Sequence, residues 1–490
     1  MGQANKPTPQ GLKDFQALKV GELSYQQILQ RLRQELALKQ QVRKIRQALG
    51  FLFGSSARLT VLAFILVISF FSLMLSTPLA SSDGQPVELH HAVFTATSAV
   101  TVTGLTTVST ASQWTFFGQL MILLASQIGG LGTLTLTSIL AMAVGRKLGL
   151  RSRIIAQESL NLGRLGEVGS VLRTVAFTSI ALEGLIALVL IPRFMLLGES
   201  IWQASWHGIF YAVSAFNNAG FTPHSDGIVP YGHDLWILLP IALGVMVGSL
   251  GFPVILVLRQ NLFVFRRWNL NAKLTVVTTL LVFLLGALAW GIMEWDNQKT
   301  IGQLSSGEKV LNAAFASIMT RSGGFNLVDM DDTQPITMLL THALMMIGGG
   351  SASTAGGIKV TTLAVIVLAI LAEARGDQAV VAFGRAIPDE ALRIAISVVM
   401  MSAAMVWLGT VSLIFISGAP MERAMFEVIS AYATCGLSTG LAAELPPSGT
   451  YLLSALMLAG RLGTITLATS LALRSRPKLY KFPQERPIIG

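Results

Sequence analysis

Four short stretches of small and polar residues, each ending at a glycine, have the residue types and spacing to bind an ion. Their reference glycines, Gly104, Gly220, Gly324 and Gly436, are 116, 104 and 112 residues apart. Three copies share Phe-x-x-x-Ser-Ala with the glycine six positions after the serine, whereas the third copy has Ile318 at the serine position. These shared offsets predict an internal fourfold repeat. Because glycine allows close backbone approach, successive carbonyls can replace the water around a dehydrated ion.

The residues around the four glycines are the candidate selectivity filter. They are Thr101, Val102, Thr103, Gly104, Asn217, Asn218, Ala219, Gly220, Arg321, Ser322, Gly323, Gly324, Ala433, Thr434, Cys435 and Gly436. None is acidic, so backbone carbonyls are the expected ligands and a ring of carboxylates is disfavoured. The predicted outer loops hold 14 acidic residues and four cations, a balance that would concentrate cations in a vestibule. For most of these acidic residues taken one by one, an ordinary position in a solvated loop is the better explanation.

A second glycine cluster begins 24 to 28 residues after each reference glycine. In the first two clusters, tight helix packing is an equal alternative to a role in the pore. The third cluster consists entirely of Gly, Ser, Ala and Thr, which cannot form a stable helix interior, so we predict a broken helix and an intramembrane gate. The candidate gate residues are Gly348, Gly349, Gly350, Ser351, Ala352, Ser353, Thr354, Ala355, Gly356, Gly357, Lys359 and Arg461.

The Gly-rich run lacks the Gly-Lys-Ser/Thr of a nucleotide-binding loop. Arg461 is central in an apolar segment, where an arginine costs about 2.5–3.5 kcal/mol, so its side chain should face protein or water. Structural pairing, with Glu183 as a possible partner, and gating are both open from the sequence. The same alternatives apply to Lys359.

No catalytic constellation is present in the sequence, and we do not expect an enzyme. The chain has one cysteine and six scattered histidines, with no His-Glu-x-x-His motif. His91 and His207 occupy equivalent repeat positions, which favours helix packing or capping over metal binding. No resident cofactor is predicted.

The composition places these segments in a membrane. Of the 490 residues, 52% are hydrophobic and only 12% are charged, about half the charged share of a soluble domain. A spanning helix needs about 20 apolar residues. Eight segments qualify: Leu59–Thr77, Phe116–Val144, Thr174–Ile191, Leu235–Leu258, Leu274–Met293, Ile336–Ile370, Ile394–Ser417 and Tyr451–Leu473.

The positions of the Lys and Arg residues predict the orientation of the chain in the membrane. With the N-terminus inside, the inner segments hold 28 of the 35 Lys and Arg residues, so both termini should be cytoplasmic. This distribution also explains the formal charge of +10 without nucleic acid. The N-terminal arm contains a predicted surface helix, Leu23–Leu49, which is either solvated or docks on a partner or the lipid surface.

The stretches before the four reference glycines contain about 12 semi-apolar residues, too few to span the bilayer, so they should form re-entrant pore helices. We therefore predict an all-α integral membrane protein with eight transmembrane helices and four pore helices around a central pore. The predicted organisation is a cytosolic arm (1–58), repeats at 59–144, 174–258, 274–370 (with a broken second helix) and 394–473, and a cytosolic tail (474–490).

As a set, Thr97–Leu105, Phe216–Phe221, Thr320–Phe325, Gly348–Lys359 and Gly460–Gly463 resemble the Trk/Ktr/HKT superfamily of potassium transporters. The chain is most similar to the membrane subunit of bacterial Ktr systems, over about residues 59–473. The resemblance implies K⁺ dehydrated at the filter and an intramembrane loop opposing Arg461. It also implies a homodimer on a cytosolic ring of nucleotide-binding (RCK-type) regulatory subunits, in the cell (inner) membrane. Sodium-preferring members have serine at the first filter glycine, where this chain has Gly104.

The leading functional hypothesis is K⁺ uptake through a gated pore driven by the membrane potential, with any Na⁺ dependence left open. The alternative is a secondary transporter for another monovalent cation or a small polar substrate, with broken helices at the bilayer midplane. Such folds usually show two related halves, whereas this sequence shows four similar units.

Overall fold

The computed structural model describes residues 56–131, 168–262 and 264–463. Several predictions lie partly or wholly outside these residues. They are most of the cytosolic arm with its surface helix Leu23–Leu49, residues 132–144 of the second predicted span, residues 464–473 of the eighth, and the C-terminal tail. The four repeats are named units 1 to 4 in chain order. Each unit consists of a first helix, a short helix and a second helix.

The first helices are long and apolar: Ser56–Leu75, Val168–Leu196, Leu270–Glu294 and Asp389–Ser417. A 20-residue helix spans about 30 Å, the thickness of the hydrocarbon core. Among the described residues, these four are long and apolar enough to cross a membrane, and a fifth span is present if one bent pair of helices is counted.

The outer faces of the first helices are apolar. In unit 3, Leu281, Leu285 and Leu288 are exposed, whereas Thr279 and Trp290 of the same helix are buried against protein. In water such a leucine stripe would be an aggregation surface, but in lipid it is the favourable face. This inversion agrees with a membrane protein.

The short helices are Leu89–Thr101, Ile201–Phe216, Ser306–Met319 and Met421–Ala433. At 13 to 16 residues, they are too short to cross the bilayer. Local chemistry fixes two of their starts, because Ser200 with Gln203 and Ser305 with Glu308 form capping boxes.

The second helices all end or break near their glycine clusters. They are Phe116–Gly130 in unit 1, Leu235–Leu250 with Phe252–Asn261 in unit 2, Pro335–Met346 with Val360–Arg375 in unit 3, and Pro447–Leu462 in unit 4. The segment Leu235–Leu258 is not the continuous span that the sequence suggested, since the chain bends by 103° at Gly251. Gly251 has φ 92°, and Ser351 O of unit 3 occupies the place of a side chain there.

The units close into a ring. Each short helix packs against the second helix of the preceding unit, and the second helix of unit 4 packs against the short helix of unit 1. A two-stranded antiparallel hairpin, Val381–Ala382 with Arg385–Ala386, connects units 3 and 4. Minor helical turns lie in the loops: Thr110–Gln113, Val229–Tyr231, Phe265–Arg267, Met330–Asp332 and Leu441–Glu444.

Candidate ion-binding site and gate

The closed ring of helices brings the four reference glycines together. Gly104, Gly220, Gly324 and Gly436 form the glycine ring. Gly220 and Gly324 approach so closely that a Cβ on either would lie 3.0 Å from the other's Cα, and a Cβ on Gly436 would lie 3.3 Å from the Cα of Gly104. The loops of all four units therefore converge on one axis.

Carbonyl oxygens occupy the space that side chains would need at the glycine ring. A Cβ on Gly104 would meet Ala219 O at 2.5 Å, and one on Gly324 would meet Cys435 O at 3.0 Å. The same relation joins Gly220 to Gly323 O and Gly436 to Thr103 O. In each case the oxygen belongs to the residue just before the next glycine around the ring. A side chain has no room at Gly104 and Gly436, and the positive φ at all four positions favours glycine.

These four carbonyl oxygens are free. No hydrogen bond from residues 56–131, 168–262 or 264–463 reaches the carbonyl of Thr103, Ala219, Gly323 or Cys435. Buried carbonyls are nearly always hydrogen-bonded, so four unpaired ones around a single axis indicate a ligand such as water or a cation.

The backbone repeats although the side chains differ. Two residues before each ring glycine, Val102, Asn218, Ser322 and Thr434 have φ between 49° and 69°. Such left-handed conformations of non-glycine residues are uncommon and cost about 1–3 kcal/mol each. Their recurrence at one repeat position marks a shared loop geometry that the side-chain types did not reveal.

The shared serine holds this loop in place. Ser98 Oγ accepts a hydrogen bond from Gly104 N at 3.0 Å, and Ser430 Oγ accepts one from Gly436 N at 3.1 Å. In unit 2, Ser214 Oγ instead donates to Phe221 O at 2.8 Å. Unit 3 has no serine at this position, and Met319 O accepts from Gly323 N at 3.0 Å and Gly324 N at 3.4 Å.

Three other candidate filter residues, Asn217, Arg321 and Cys435, direct their side chains into protein. Asn217 Nδ2 donates to Glu183 Oε1 at 3.0 Å and to Gln127 Oε1 at 2.8 Å. Arg321 Nη1 donates to Thr279 O of the first helix of unit 3 at 3.2 Å. Cys435 Sγ lies 3.2 Å from Thr320 O. The charge of Arg321 is therefore held beside the neighbouring helix.

The Gly-rich run of unit 3 packs against neighbouring units close to the loops that carry the glycine ring. Gly350 N donates to Ser249 O of unit 2 at 2.7 Å, and Thr354 Oγ1 donates to Phe216 O at 3.4 Å. On the other side, Thr434 Oγ1 occupies the place of a side chain at Gly356. The run thus contacts units 2 and 4 near the loops that carry the ring.

Two positively charged side chains donate hydrogen bonds to carbonyl oxygens of this run. Arg461, 8% exposed, donates to Thr354 O through Nη1 and to Gly129 O of unit 1 through Nη2 at 2.5 Å. Lys359 Nζ donates to Ala355 O at 2.7 Å. Glu183 is not the partner of Arg461, because its carboxylate lies in the unit 2 network with Asn217.

The vestibule outside the ring is neutral near the axis. A cavity of about 300 Å³ is lined by all four ring glycines, hydroxyl side chains and His224, and by no carboxylate. Two of the 14 acids are structural: Glu427 is fully buried and accepts from Thr439 N at 2.9 Å, and Glu294 is fully buried and accepts from Gln334 N at 2.9 Å. No carboxylate lines this cavity, so among the described residues the predicted acidic vestibule does not extend to the glycine ring.

Sequence reasoning missed Gln127 and underestimated Glu427. Gln127 bonds to Asn217, 90 residues away, and Glu427 bonds to Ser438 and Thr439 in the loop 11 and 12 residues further along the chain. No periodicity marks such residues. The sequence contains one indirect signal for the Gln127 contact. Glu183, which shares the donor Asn217 with Gln127, is an isolated acid within an apolar segment.

The family model TrkH, described as "Cation transport protein", matches residues 24–479. The chain is 35% identical over 430 residues to the Ktr system potassium uptake protein B of Bacillus subtilis, covering 88% of this chain and 95% of that protein. It is 31% identical to the potassium/sodium uptake protein NtpJ of Enterococcus hirae, covering 89% of this chain and 97% of that protein.

Among solved structures, the crystal structure of the potassium transporter TrkH from Vibrio parahaemolyticus matches with a TM-score of 0.66. The match has 18% identity and covers 84% of each chain. This likeness concerns the fold alone, and it confirms the predicted all-α membrane architecture. The expectation that the chain is not an enzyme agrees with relatives named as uptake proteins.

Proposed function

Since this chain belongs to the TrkH family of cation transport proteins, we propose that it is the membrane subunit of a Ktr-type system and takes up K⁺ through the glycine ring. One observation carries the proposal: four carbonyls that accept no hydrogen bond from the described part of the chain surround one axis, at glycines that leave little room for a side chain. Such oxygens can replace the hydration shell of a monovalent cation without adding charge.

The proposed filter comprises the four loop segments 101–104, 217–220, 321–324 and 433–436. Glycine at all four ring positions is compatible with K⁺. The steric fit at Gly104 supports this, because a larger residue there would press on Ala219 O, a proposed ligand. The name of the Enterococcus hirae relative includes sodium, so Na⁺ is the competing ion to be tested.

The proposed gate is the run Gly348–Gly357 together with Lys359 and Arg461. The contacts with Ser249 and Phe216 support a position across the ion path, and the bonds from Arg461 and Lys359 support a held, closed conformation. The run contains five glycines, so its backbone can rearrange at low steric cost. Opening would release the bond from Arg461 to Thr354 O.

The membrane potential supplies the driving force in this proposal. Each 100 mV is worth about 2.3 kcal/mol per charge, enough for roughly fifty-fold accumulation of a monovalent cation. We propose the cell membrane as location, with both termini cytoplasmic. We also propose a homodimer on a nucleotide-binding regulatory ring, and the word "system" in the names of the relatives supports additional components.

The test is radioactive Rb⁺ uptake in a strain that lacks its own K⁺ uptake, with the regulatory partner co-expressed. We expect uptake that K⁺ competes for and that collapses when an uncoupler removes the membrane potential. Competition by Na⁺ measures the selectivity of the ring. Absence of Rb⁺ and K⁺ flux from a chain present in the membrane would reject the proposal.

A further inference from the structure

Three side chains of types that commonly bind metals lie close together outside the glycine ring. Glu199 precedes the short helix of unit 2, His207 lies in that helix, and His224 follows Gly220 in the loop. His207 Nδ1 is 2.8 Å from Glu199 Oε2, and His224 Nε2 is 3.2 Å from Glu199 Oε1. One ligand atom from each residue lies within 4.8 Å of the others, and all three side chains are about one-fifth exposed.

A tyrosine fixes the tautomer of His224. The hydroxyl of Tyr211 is 3.1 Å from Gly227 O and 2.9 Å from His224 Nδ1. A carbonyl can only accept, so the single hydroxyl proton goes to Gly227 and Nδ1 must be the donor to Tyr211. His224 Nε2 then presents a lone pair towards Glu199 Oε1, another lone-pair atom.

These two atoms are stabilised either by a proton on Nε2, which makes the ion pair of His224 with Glu199, or by a metal cation in the place of that proton. Metal-bound histidines show this arrangement, in which the second ring nitrogen donates to an outer partner that orients the ring. The hydroxyl of Tyr231, 3.3 Å from Nε2, is the group that an entering metal would displace. Ligand atoms in a tetrahedral zinc site are roughly 3.3 Å apart, close to the 2.8 Å and 3.2 Å separations here.

We propose that Glu199, His207 and His224 bind a transition-metal dication of the Zn²⁺ class at the outer mouth of the pore. Two imidazoles and one carboxylate suit Zn²⁺ and leave a fourth position for water. Ca²⁺ and Mg²⁺ prefer oxygen ligands and are excluded by this set.

The bound metal regulates uptake, a consequence that rests on the proposed function. His224 lines the same 300 Å³ cavity as the four ring glycines. A dication there places positive charge at the entrance and lowers the local concentration of K⁺. External metal therefore inhibits uptake from the outer side.

The chain contains a matched control. Glu88, His90 and His91 also bring three ligand atoms within 4.8 Å. That cluster lies in one turn, the Glu88 side chain is 77% exposed, and His91 Nδ1 is already bonded to Thr107 Oγ1 at 2.7 Å. It lacks the segment-to-segment assembly and the orienting tyrosine, so it should bind metal weakly.

The experiment titrates the purified full-length chain in detergent with Co²⁺, read by its ligand-field absorption, and then displaces it with Zn²⁺. We expect one site in the wild type. Its dissociation constant should rise at least about tenfold in His224→Gln and in Glu199→Gln, and about tenfold in Tyr211→Phe. His90→Gln should bind as the wild type does. Size-exclusion chromatography checks the fold of each variant, and Glu199→Gln keeps the size of the side chain should His224→Gln aggregate.

The transport arm measures Rb⁺ uptake with and without external Zn²⁺, each variant compared with its own metal-free rate. Inhibition should occur in the wild type and in His90→Gln and be lost in His224→Gln. A wild-type chain that binds no Co²⁺, or a folded His224→Gln that binds it equally well, overturns the metal site. Co²⁺ binding without any Rb⁺ flux would contradict the proposed function and leave the metal site standing.

Discussion

At the scale of single residues, the four glycines of the ring are positions that leave little room for a side chain. A carbonyl of the neighbouring unit blocks the Cβ position at Gly104 and Gly436 and lies 3.0–3.3 Å from it at Gly324 and Gly220. Two positions earlier, the left-handed residues repeat the same turn with four different side chains. The chemistry therefore resides in the backbone, and side chains act by holding it.

Gly104→Ser should weaken discrimination between K⁺ and Na⁺. Its Cβ would lie 2.5 Å from Ala219 O and the φ of 91° is strained for serine, so the carbonyl must move. The ratio of Rb⁺ to Na⁺ uptake is the measurement. Gly307→Ser is the control, because a side chain at Gly307 meets nothing within 4 Å. An unchanged ratio in Gly104→Ser would count against the filter.

Ser430→Ala should destabilise the chain and loosen the filter of unit 4. The variant leaves the buried Gly436 N–H without its acceptor, at a cost of about 1–3 kcal/mol. Thermal unfolding in detergent should show a lower Tm, and Rb⁺ selectivity should fall with it. Ser397→Ala removes an exposed serine hydroxyl bonded within its own helix and serves as the control. Equal Tm values for the two variants would argue against a role for Ser430 in the loop.

At the scale of elements, the second helices differ from simple spans because they stop or bend at their glycines. Gly251 and Gly463 have φ of 92° and 80°, and the Gly-rich run separates Met346 from Val360. Backbone of this kind is stable at membrane depth only where protein or a water-filled cavity surrounds it. The bonds to Ser249, Gly129 and Arg461 provide that surrounding protein.

Deleting part of Gly350–Ala355 should raise Rb⁺ flux, since this run is the proposed gate. The measurement is initial Rb⁺ uptake normalised to protein in the membrane. Arg461→Gln should act in the same direction, because it removes the charged donor to Thr354 O and Gly129 O.

The alternative for these variants is a purely structural role. If folded deletion and Arg461→Gln chains show unchanged or lower flux with a reduced Tm, the run is a structural break and not a gate. Lys273→Gln, which removes a positive charge near the rings of Phe265 and Phe383, controls for the loss of a cation as such.

At the scale of the whole molecule, function depends on closure. Each short helix packs on the second helix of the unit before it, and the contact between units 4 and 1 completes the cycle. Many large apolar side chains of the first helices are exposed and suit lipid, whereas the filter residues Thr101, Asn218 and Thr434 are fully buried. In the proposed function, the four units together enclose the ion path, which no single unit could form.

The proposed orientation can be tested with single cysteines. Cys435 is buried, so a Cys435→Ala background removes the one native thiol. In that background, Asp83→Cys should react with a membrane-impermeant maleimide in intact cells, and Asp377→Cys only after permeabilisation. Both positions are exposed. Labelling of Asp377→Cys in intact cells would show that the topology is the inverse of the proposed one.

The sequence alone determined the membrane class, the fourfold repeat and the segments of interest. Apolar length and cation placement obey local rules, and a repeat is visible in spacing, so Gly104 and its three equivalents could be identified without coordinates. The composition of Gly348–Gly357 likewise predicted a break, because glycine disfavours a helix wherever the helix sits.

Only the tertiary structure decided which residues contact one another. Arg461 meets Thr354 and Gly129, 107 and 332 residues away, and the acid expected beside it bonds to Asn217 instead. The bend at Gly251 and the convergence of Glu199, His207 and His224 also depend on contacts between separate segments. Sequence patterns report the preferences of neighbours along a chain, whereas these contacts exist only after four units close around one axis.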